Sequence, residues 1–506
     1  MKHATMYWRV LVGILLLGLN SPPADGLKWG NDILIWEGDI SCFDVDYTMD
    51  GTMYLAFQED VAPNYPVNFY TSSDHGYTWD YRAAFPMPGR ISKMKLIAGE
   101  PVHNYLYFFF VDPSNGRLLV VKINRNNFTI LGDYSVSPDP VVEEGFDVTR
   151  SIEDNYVLYA VFIEDGTTSY HSSYSVYSSS DYGETWVSEL GDWGWNLDSH
   201  ISIAWGPPSN LYVAYAEHWA DVQVDDSLEI VIRPIFLATG HSYSTRVTFN
   251  SHKDYDPHVA ASNDLNNPAI WIVYTHDYQG TGNLDLWAAS VPSPDSIPLG
   301  QEWNMTPIST TNANEYWGDI EFYKASGNRW VDMVYIVDVV GVHRYAMWTY
   351  SSGANPTSWA SPDTINDYDA HPWPYGAAPR IAYSPGAPTP GSGVVYAGVG
   401  SHNLYFDGRW FTTGVEESTS PEHSHFSLYP NLLTAKAPLK VALSKQGLVE
   451  LSLYDLSGSL TYHLGPIFWN RGSHFLPLNQ LRNGVYFLEL KLNGRLSNKT
   501  KLVILR

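Results

Sequence analysis

Seven stretches of this 506-residue chain put one polar residue at the start of an otherwise apolar strand pattern. These residues are Asp44, Lys93, Asp147, His200, His258, Asp319 and Arg380. Their flanks support a common register. Phe43-Asp44-Val45 matches Phe146-Asp147-Val148, and Asp198-Ser199-His200-Ile201 parallels Asp256-Pro257-His258-Val259. Brought together around an axis, three carboxylates, two imidazoles and two cations would make a site for a polyol or a sugar acid. The same ring could also satisfy itself around ordered water and bind nothing. Two of the preceding loops are long and aromatic. Asp367 to Tyr375, with His371 and Trp373, leads into Arg380, and Trp193-Gly194-Trp195-Asn196 leads into His200. Such rings would stack on sugar faces or cap a core.

Other chemistry is thinly represented. There is no His-x-x-x-His, no glycine-rich phosphate loop and no Gly-x-Ser-x-Gly elbow. Glu100 and His103 have a ligand-like spacing, but Pro101 and the strand pattern that follows argue against a helical metal pair. Neither a metal nor a cofactor is expected. Acidic turns such as Asp221, Asp225 and Asp226 would suit a structural calcium, although ordinary surface turn chemistry explains them equally. The single cysteine, Cys42, sits in the apolar run Ile40-Ser41-Cys42-Phe43 and reads as a small buried hydrophobe.

The elements that would carry these residues recur. A strongly aromatic strand follows each polar start: Met53 to Phe57, Tyr105 to Phe109, Val157 to Val161, Leu211 to Tyr215, Ile270 to Tyr274, Val331 to Tyr335 and Val394 to Gly398. The interval is roughly 50–60 residues, which suits four-stranded propeller blades. The fold expected is therefore an all-β propeller, with seven blades and with six as the alternative.

One turn pattern occurs twice. Ser72-Ser73-Asp74-His75-Gly76-Tyr77-Thr78-Trp79 and Ser179-Ser180-Asp181-Tyr182-Gly183-Glu184-Thr185-Trp186 share Ser, Asp, Gly, Thr and Trp at one spacing. Serine and aspartate oxygens accept local N–H groups, and glycine supplies a positive φ. This pattern resembles the Asp-box of sialidase-like β-propellers. The resemblance implies a structural hairpin between the outer strands of a blade, so Ser72, Asp74, Gly76, Thr78, Trp79, Ser179, Asp181, Gly183, Thr185 and Trp186 are given no catalytic role. A decayed copy runs from Ser351-Ser352-Gly353 to Ser358-Trp359. The sialidase reaction, by the same resemblance, would need three arginines, a tyrosine nucleophile with its glutamate, and an aspartate acid/base. Arg90-Ile91-Ser92 is the nearest match to the family's Arg-Ile-Pro, without the proline. Arg150, Arg233, Arg246 and Arg344 have no spacing that makes them a triad, so the catalytic residues stay unassigned.

The ends of the chain have their own character. Residues 1–26 read as an export signal, with Lys2 and Arg9, an apolar run from Val10 to Leu19, and Ala24-Asp25-Gly26 as a cleavage site. No later stretch is long and apolar enough to span a bilayer. Net charge is −25, but from Leu428 onward ten lysines and arginines face three carboxylates, so the remainder carries −32. An acidic body argues against nucleic acid as a partner. The segment 416–427 reads as a linker. Beyond it, Tyr429-Pro430-Asn431, Tyr454-Asp455-Leu456-Ser457-Gly458, Gly484-Val485-Tyr486 and a basic last strand resemble the C-terminal sorting domain of the type IX secretion system. Leu432 stands where that family usually has proline. The resemblance implies a small β-sandwich and delivery by the type IX machinery to the surface of a Gram-negative-type bacterium, or into its medium.

These readings give a signal peptide (1–26), a sialidase-like propeller (27–415), a linker (416–427) and a sorting β-sandwich (428–506). The function expected is binding of carbohydrate or another extracellular ligand at the channel mouth. A sialidase-like glycoside hydrolase and a non-catalytic structural or adhesive surface protein are the alternatives.

Overall fold

The computed structural model describes Trp29 and most of residues 32–408 and 426–505, less short segments that include 219–227 and 367–377. Residues 1–28 and 409–425, which hold the expected export signal and most of the linker, lie outside the described residues. His371, Trp373 and the acidic turn Asp221 to Asp226 do too. The chain divides into two compact units, Met1–Thr412 and Thr413–Arg506.

The first unit is an all-β propeller of antiparallel sheets. Ile40–Tyr47, Met53–Glu59, Val67–Ser72 and Asp80–Phe85 form one four-stranded sheet in sequence order. Sheets that begin at Met94–Ala98, Val141–Arg150 and Asn314–Ala325 repeat that order. A nine-stranded sheet contains two further groups, beginning at Leu197–Gly206 and Lys253–Ala261. They meet at one parallel pairing, Leu228 with Lys253. The last sheet closes the circle: Ile33–Trp36, from the start of the described chain, pairs with Leu404–Gly408, outside Gly391–Ala397 and Arg380–Ser384. Its loop is also tied, Gly38 N–H donating to Asn403 Oδ1 at 3.2 Å.

The aromatic strands expected from the sequence are the second strands of these sheets, and both their faces are buried. Phe57, Phe109, Tyr212, Trp271 and Tyr335 are fully covered. Neighbouring sheets pack face to face through such residues, as where Phe69 meets Phe108 edge-on at 5.7 Å. The near-continuous apolar runs follow from that two-sided burial. Cys42 is fully buried, and burial pushes its thiol up to about 12.

The two Ser-x-Asp-x-Gly-x-Thr-Trp turns share the hydrogen bonds that their serine and aspartate accept from the glycine and threonine N–H groups. Gly76 N–H donates to Ser72 Oγ at 2.7 Å and Thr78 N–H to Asp74 Oδ1 at 2.9 Å. In the second copy Gly183 N–H donates to Ser179 Oγ at 2.8 Å and Thr185 N–H to Asp181 Oδ1 at 2.9 Å. Both turns join the third strand of a sheet to its outer strand. Each reaches back to the sheet before it. Trp79 sits edge-on to Phe406 at 5.5 Å, and Trp186 edge-on to Phe109 at 6.0 Å. Of the decayed copy, Ser351 and Trp359 keep an antiparallel bridge.

In the second unit, Phe426–Tyr429, Leu439–Leu443 and Gly472–Leu476 form one sheet. Leu432–Thr434, Arg495–Leu505, Gly484–Leu492, Gly447–Asp455 and Leu460–Trp469 form the other. Both contribute to a single core that includes Val441, Leu451, Leu488 and Ile504, which makes a β-sandwich. Its pairings are antiparallel except that of Leu432–Thr434 with Arg495–Leu505.

Candidate functional site

Residues from seven strands line one cavity of about 240 Å³ along the axis of the propeller. The strands are Ile40–Tyr47, Met94–Ala98, Val141–Arg150, Leu197–Gly206, Lys253–Ala261, Asn314–Ala325 and Arg380–Ser384. Each is the innermost strand of its group, and apart from the single pairing of Lys253 with Leu228 its inner edge has no pairing strand among the described residues, so its N–H groups need other acceptors.

A ring of side chains supplies those acceptors. Asp44 Oδ2 accepts Leu96 N–H at 2.7 Å. Asp147 Oδ2 accepts Ile203 N–H at 3.0 Å and the Ser202 hydroxyl at 3.0 Å. Ser202 Oγ in turn accepts Val259 N–H at 3.2 Å, and Asp319 Oδ2 accepts Ile381 N–H at 3.1 Å. In every case the acceptor belongs to one inner strand and the donor to the next. Each backbone donor also directly follows the next ring residue. The ring is therefore Asp44, Lys95, Asp147, Ser202, His258, Asp319 and Arg380.

Opposite charges neighbour one another over part of it. Lys95 Nζ lies 3.3 Å from Asp147 Oδ1, Arg380 Nε 3.6 Å from Asp44 Oδ1, and His258 Nδ1 4.0 Å from Asp319 Oδ1. Burial works against Lys95, but Asp147 and Asp44 outweigh it and hold the ammonium charged well above its ordinary pKa. Burial also opposes the Asp147 carboxylate, where Lys95 and Lys93 win and keep its pKa low. Asp44 is pushed up to about 6 by burial, against Lys95 and Arg380. His258 is held neutral, first by burial and then by Arg380 and Lys93. The ring is largely satisfied from within.

Five of the seven sequence candidates, Asp44, Asp147, His258, Asp319 and Arg380, stand in this ring. Lys93 and His200 lie two residues before it, Lys93 just ahead of Met94–Ala98 and His200 within Leu197–Gly206. Lys93 Nζ donates to the carbonyls of Phe146 at 2.5 Å and Glu144 at 3.1 Å, and burial lowers its pKa to about 8. The His200 ring lies among Glu144, Asp198 and Asp256.

Two residues beyond the ring a second layer faces the same cavity, because side chains at i and i+2 share a strand face. Asp46 and Glu321 occupy it, with Tyr47 and Arg150 one position further on. Tyr47 OH donates to Glu321 Oε1 at 3.5 Å, and Arg150 Nη1 lies 3.9 Å from Asp46 Oδ2. Asp46 Oδ2 also accepts Ala98 N–H at 2.7 Å. Burial, then Asp319 and Asp46, push Glu321 up to about 8, despite Lys95 and Arg150. Burial raises Asp46 too, against Arg150 and the hydrogen bond from Ala98. At neutral pH this layer therefore offers a carboxylic acid, a phenol, a guanidinium and a second carboxyl group.

Sequence reading missed Lys95, Ser202, Asp46, Tyr47 and Glu321, and weighed Arg150 only for a carboxylate clamp. A signal was present in the i, i+2 polar pairs Asp44/Asp46, Lys93/Lys95, His200/Ser202 and Asp319/Glu321. The arginines weighed for a carboxylate clamp do not converge. Arg233 bonds Ser242 and the Tyr174 hydroxyl, Arg246 lies over Phe249, and Arg344 pairs with Asp338. Only Arg150 among these four lines the cavity.

No protein-family model and no curated protein matches the chain. Among solved structures, the α-L-arabinofuranosidase Arb93A of Fusarium graminearum, in complex with an iminosugar inhibitor, is similar at 12% identity. That match covers 75% of this chain and 97% of the enzyme, with a TM-score of 0.42. An α-L-arabinanase of Penicillium chrysogenum, complexed with arabinobiose, is similar at 10% identity over 65% of this chain and 99% of that one, TM-score 0.41. PorZ, a bacterial surface component of the type IX secretion system of Porphyromonas gingivalis, is similar at 12% identity over 93% of this chain and 60% of PorZ, TM-score 0.38. Likeness at this level carries nothing about substrate or chemistry.

Proposed function

We propose that this chain is an exported, surface-delivered propeller that binds a small polyhydroxylated ligand, a sugar or sugar acid, in the second layer of its channel. We read the seven inner strands as seven blades, and the four segments set out above as the domain plan. Delivery rests on the export-signal pattern of residues 1–26 and on the sorting-domain resemblance of the C-terminal sandwich.

The observation that carries the binding reading is the contrast between the two layers. Ring carboxylates and cations are used up on backbone N–H groups and on one another. In the second layer Asp46 still caps Ala98 N–H and pairs with Arg150, but Glu321 accepts from the Tyr47 hydroxyl rather than from a backbone N–H, and the four side chains bring donors and acceptors of several kinds to one cavity wall. A neutral carboxylic acid donates as well as accepts, which suits hydroxyl groups. The cavity is smaller than drug-sized pockets of about 300–1,000 Å³, so a single sugar ring fits the reading better than a polymer.

Hydrolysis is the second reading, because a protonated Glu321 beside the Tyr47 hydroxyl, with Asp46 across the same cavity, has the makings of an acid and a nucleophile or base. The scattered arginines count against a sialidase in particular. The experiment is a glycan array together with a fluorogenic glycoside panel on the full chain, followed by Tyr47→Phe and Glu321→Gln. Binding weakened at least tenfold in both variants supports the site. Unchanged affinity in both, or no glycan bound and none cleaved by the wild type, sinks it and leaves a structural or adhesive scaffold.

A further inference from the structure

The His200 imidazole is enclosed by carboxylates from three consecutive inner strands. Glu144 Oε2 lies 3.4 Å from Nε2, Asp198 Oδ2 lies 3.7 Å from Nδ1, and Asp256 Oδ1 contacts Nδ1 directly. A neutral imidazole donates one hydrogen bond and an imidazolium two, so neither form serves three carboxylates. One ligand atom from each of Asp198, His200 and Asp256 lies within 4.8 Å of the other two. Asp256 is only 4% exposed, and its Oδ1 takes no hydrogen bond from any group outside this cluster. A buried carboxylate oxygen served only by a crowded imidazole is suited to a cation. The cluster opens onto a cleft that Leu197, His218, Lys253 and Tyr255 also line, which gives an ion a way in.

We propose that Asp198, His200 and Asp256 bind one divalent transition-metal ion of the zinc or manganese class, with Glu144 positioning the imidazole through Nε2. An imidazole nitrogen among the ligands favours such ions over calcium, which takes oxygen ligands. A carboxylate on the far nitrogen of a metal-bound histidine is the usual way to fix its orientation. Asp198 and His200 come from Leu197–Gly206 and Asp256 from Lys253–Ala261, the first strands of the two groups that share the nine-stranded sheet. The ion would clamp that joint, apart from the channel cavity, whose lining includes none of the three.

The test uses the full chain stripped with chelator, desalted, and titrated with Zn²⁺ or Mn²⁺ alone. Elemental analysis after dialysis and calorimetry give stoichiometry and Kd, and the thermal midpoint is read with and without metal. One ion per chain and a midpoint raised by metal are expected in the wild type. Asp256→Asn should weaken binding at least tenfold and abolish the rise. Asp198→Asn, at a side chain 28% exposed, should do the same, and it decides the matter if Asp256→Asn does not fold. An imidazolium-held cluster that takes no stoichiometric ion, or an ion retained undiminished by folded variants, overturns the proposal.

Discussion

Alanine at Gly76 should destabilise the propeller well beyond alanine at Gly183, although both glycines hold the same place in the same turn. Their φ angles are +89° and +83°, so left-handed strain of about 1–2 kcal/mol is common to both. The surroundings differ. A Cβ on Gly76 would lie 2.0, 2.4 and 2.6 Å from three ring carbons of Phe406. On Gly183 the nearest atoms would be Tyr107 ring carbons at 3.4 and 3.5 Å, close to ordinary contact. Phe406 has little room to yield, being fully buried in a core with Leu55, Val395 and the edge-on Trp79. Overpacking of that kind adds about 1–3 kcal/mol. Gly183→Ala should thus cost about 1–2 kcal/mol and Gly76→Ala about 2–5 kcal/mol. Urea unfolding followed by tryptophan fluorescence reads the propeller, since Trp469 is the single tryptophan after residue 427. Phe406→Leu in the Gly76→Ala background should recover part of the loss, giving a coupling of about 1 kcal/mol or more in a double-mutant cycle. Equal losses at the two glycines, or strict additivity with Phe406→Leu, would refute the packing argument.

Asp147→Asn should lower stability by about 3 kcal/mol, because Lys95 then faces the channel without its paired carboxylate and buried Lys93 loses a compensating charge. A loss below about 1 kcal/mol in denaturant would mean that water replaces the pairing without penalty. Glu321 should contribute a fall in stability between pH 6 and 8, beside Glu229, whose carboxyl burial pushes up to about 7. The folded chain keeps the Glu321 proton up to about pH 8, while the unfolded chain releases it near the ordinary carboxylate value of about 4.3. The folded state then binds more protons, so stability falls as pH rises, by at most about 1.4 kcal/mol per unit. Glu321→Gln should reduce this fall, and an unchanged slope would place the Glu321 carboxyl in the ionised form.

The fold was legible because its units repeat. Seven buried second strands must each be apolar on both faces, and that shows as uninterrupted runs such as Tyr105 to Phe109. The turn chemistry was equally open to reading, since Ser72, Asp74 and Gly76 act on their own neighbours within a few residues. What those turns pack against was not. Trp79 meets Phe406, more than three hundred residues away, and no local pattern encodes which sheet closes on which.

The site was legible to within one period of the strand. Polar residues alternate along the inner strands, so Lys93 and Lys95, or His200 and Ser202, present the same side-chain direction two residues apart. Sequence alone does not say which of each pair is level with Asp147. The choice turns on hydrogen bonds between strands, and here the ring residue is the one whose next N–H is capped by the preceding blade. That rule also separates structure from function in the channel. Residues level with the caps are needed to satisfy inner-strand edges, so their polarity carries little information about a ligand. Residues two positions on have no such obligation at Glu321, whose Oε1 is met by the Tyr47 hydroxyl and which stays polar at a cost that shows in its raised pKa. A polar group that burial penalises and no backbone edge explains is where ligand chemistry is best sought.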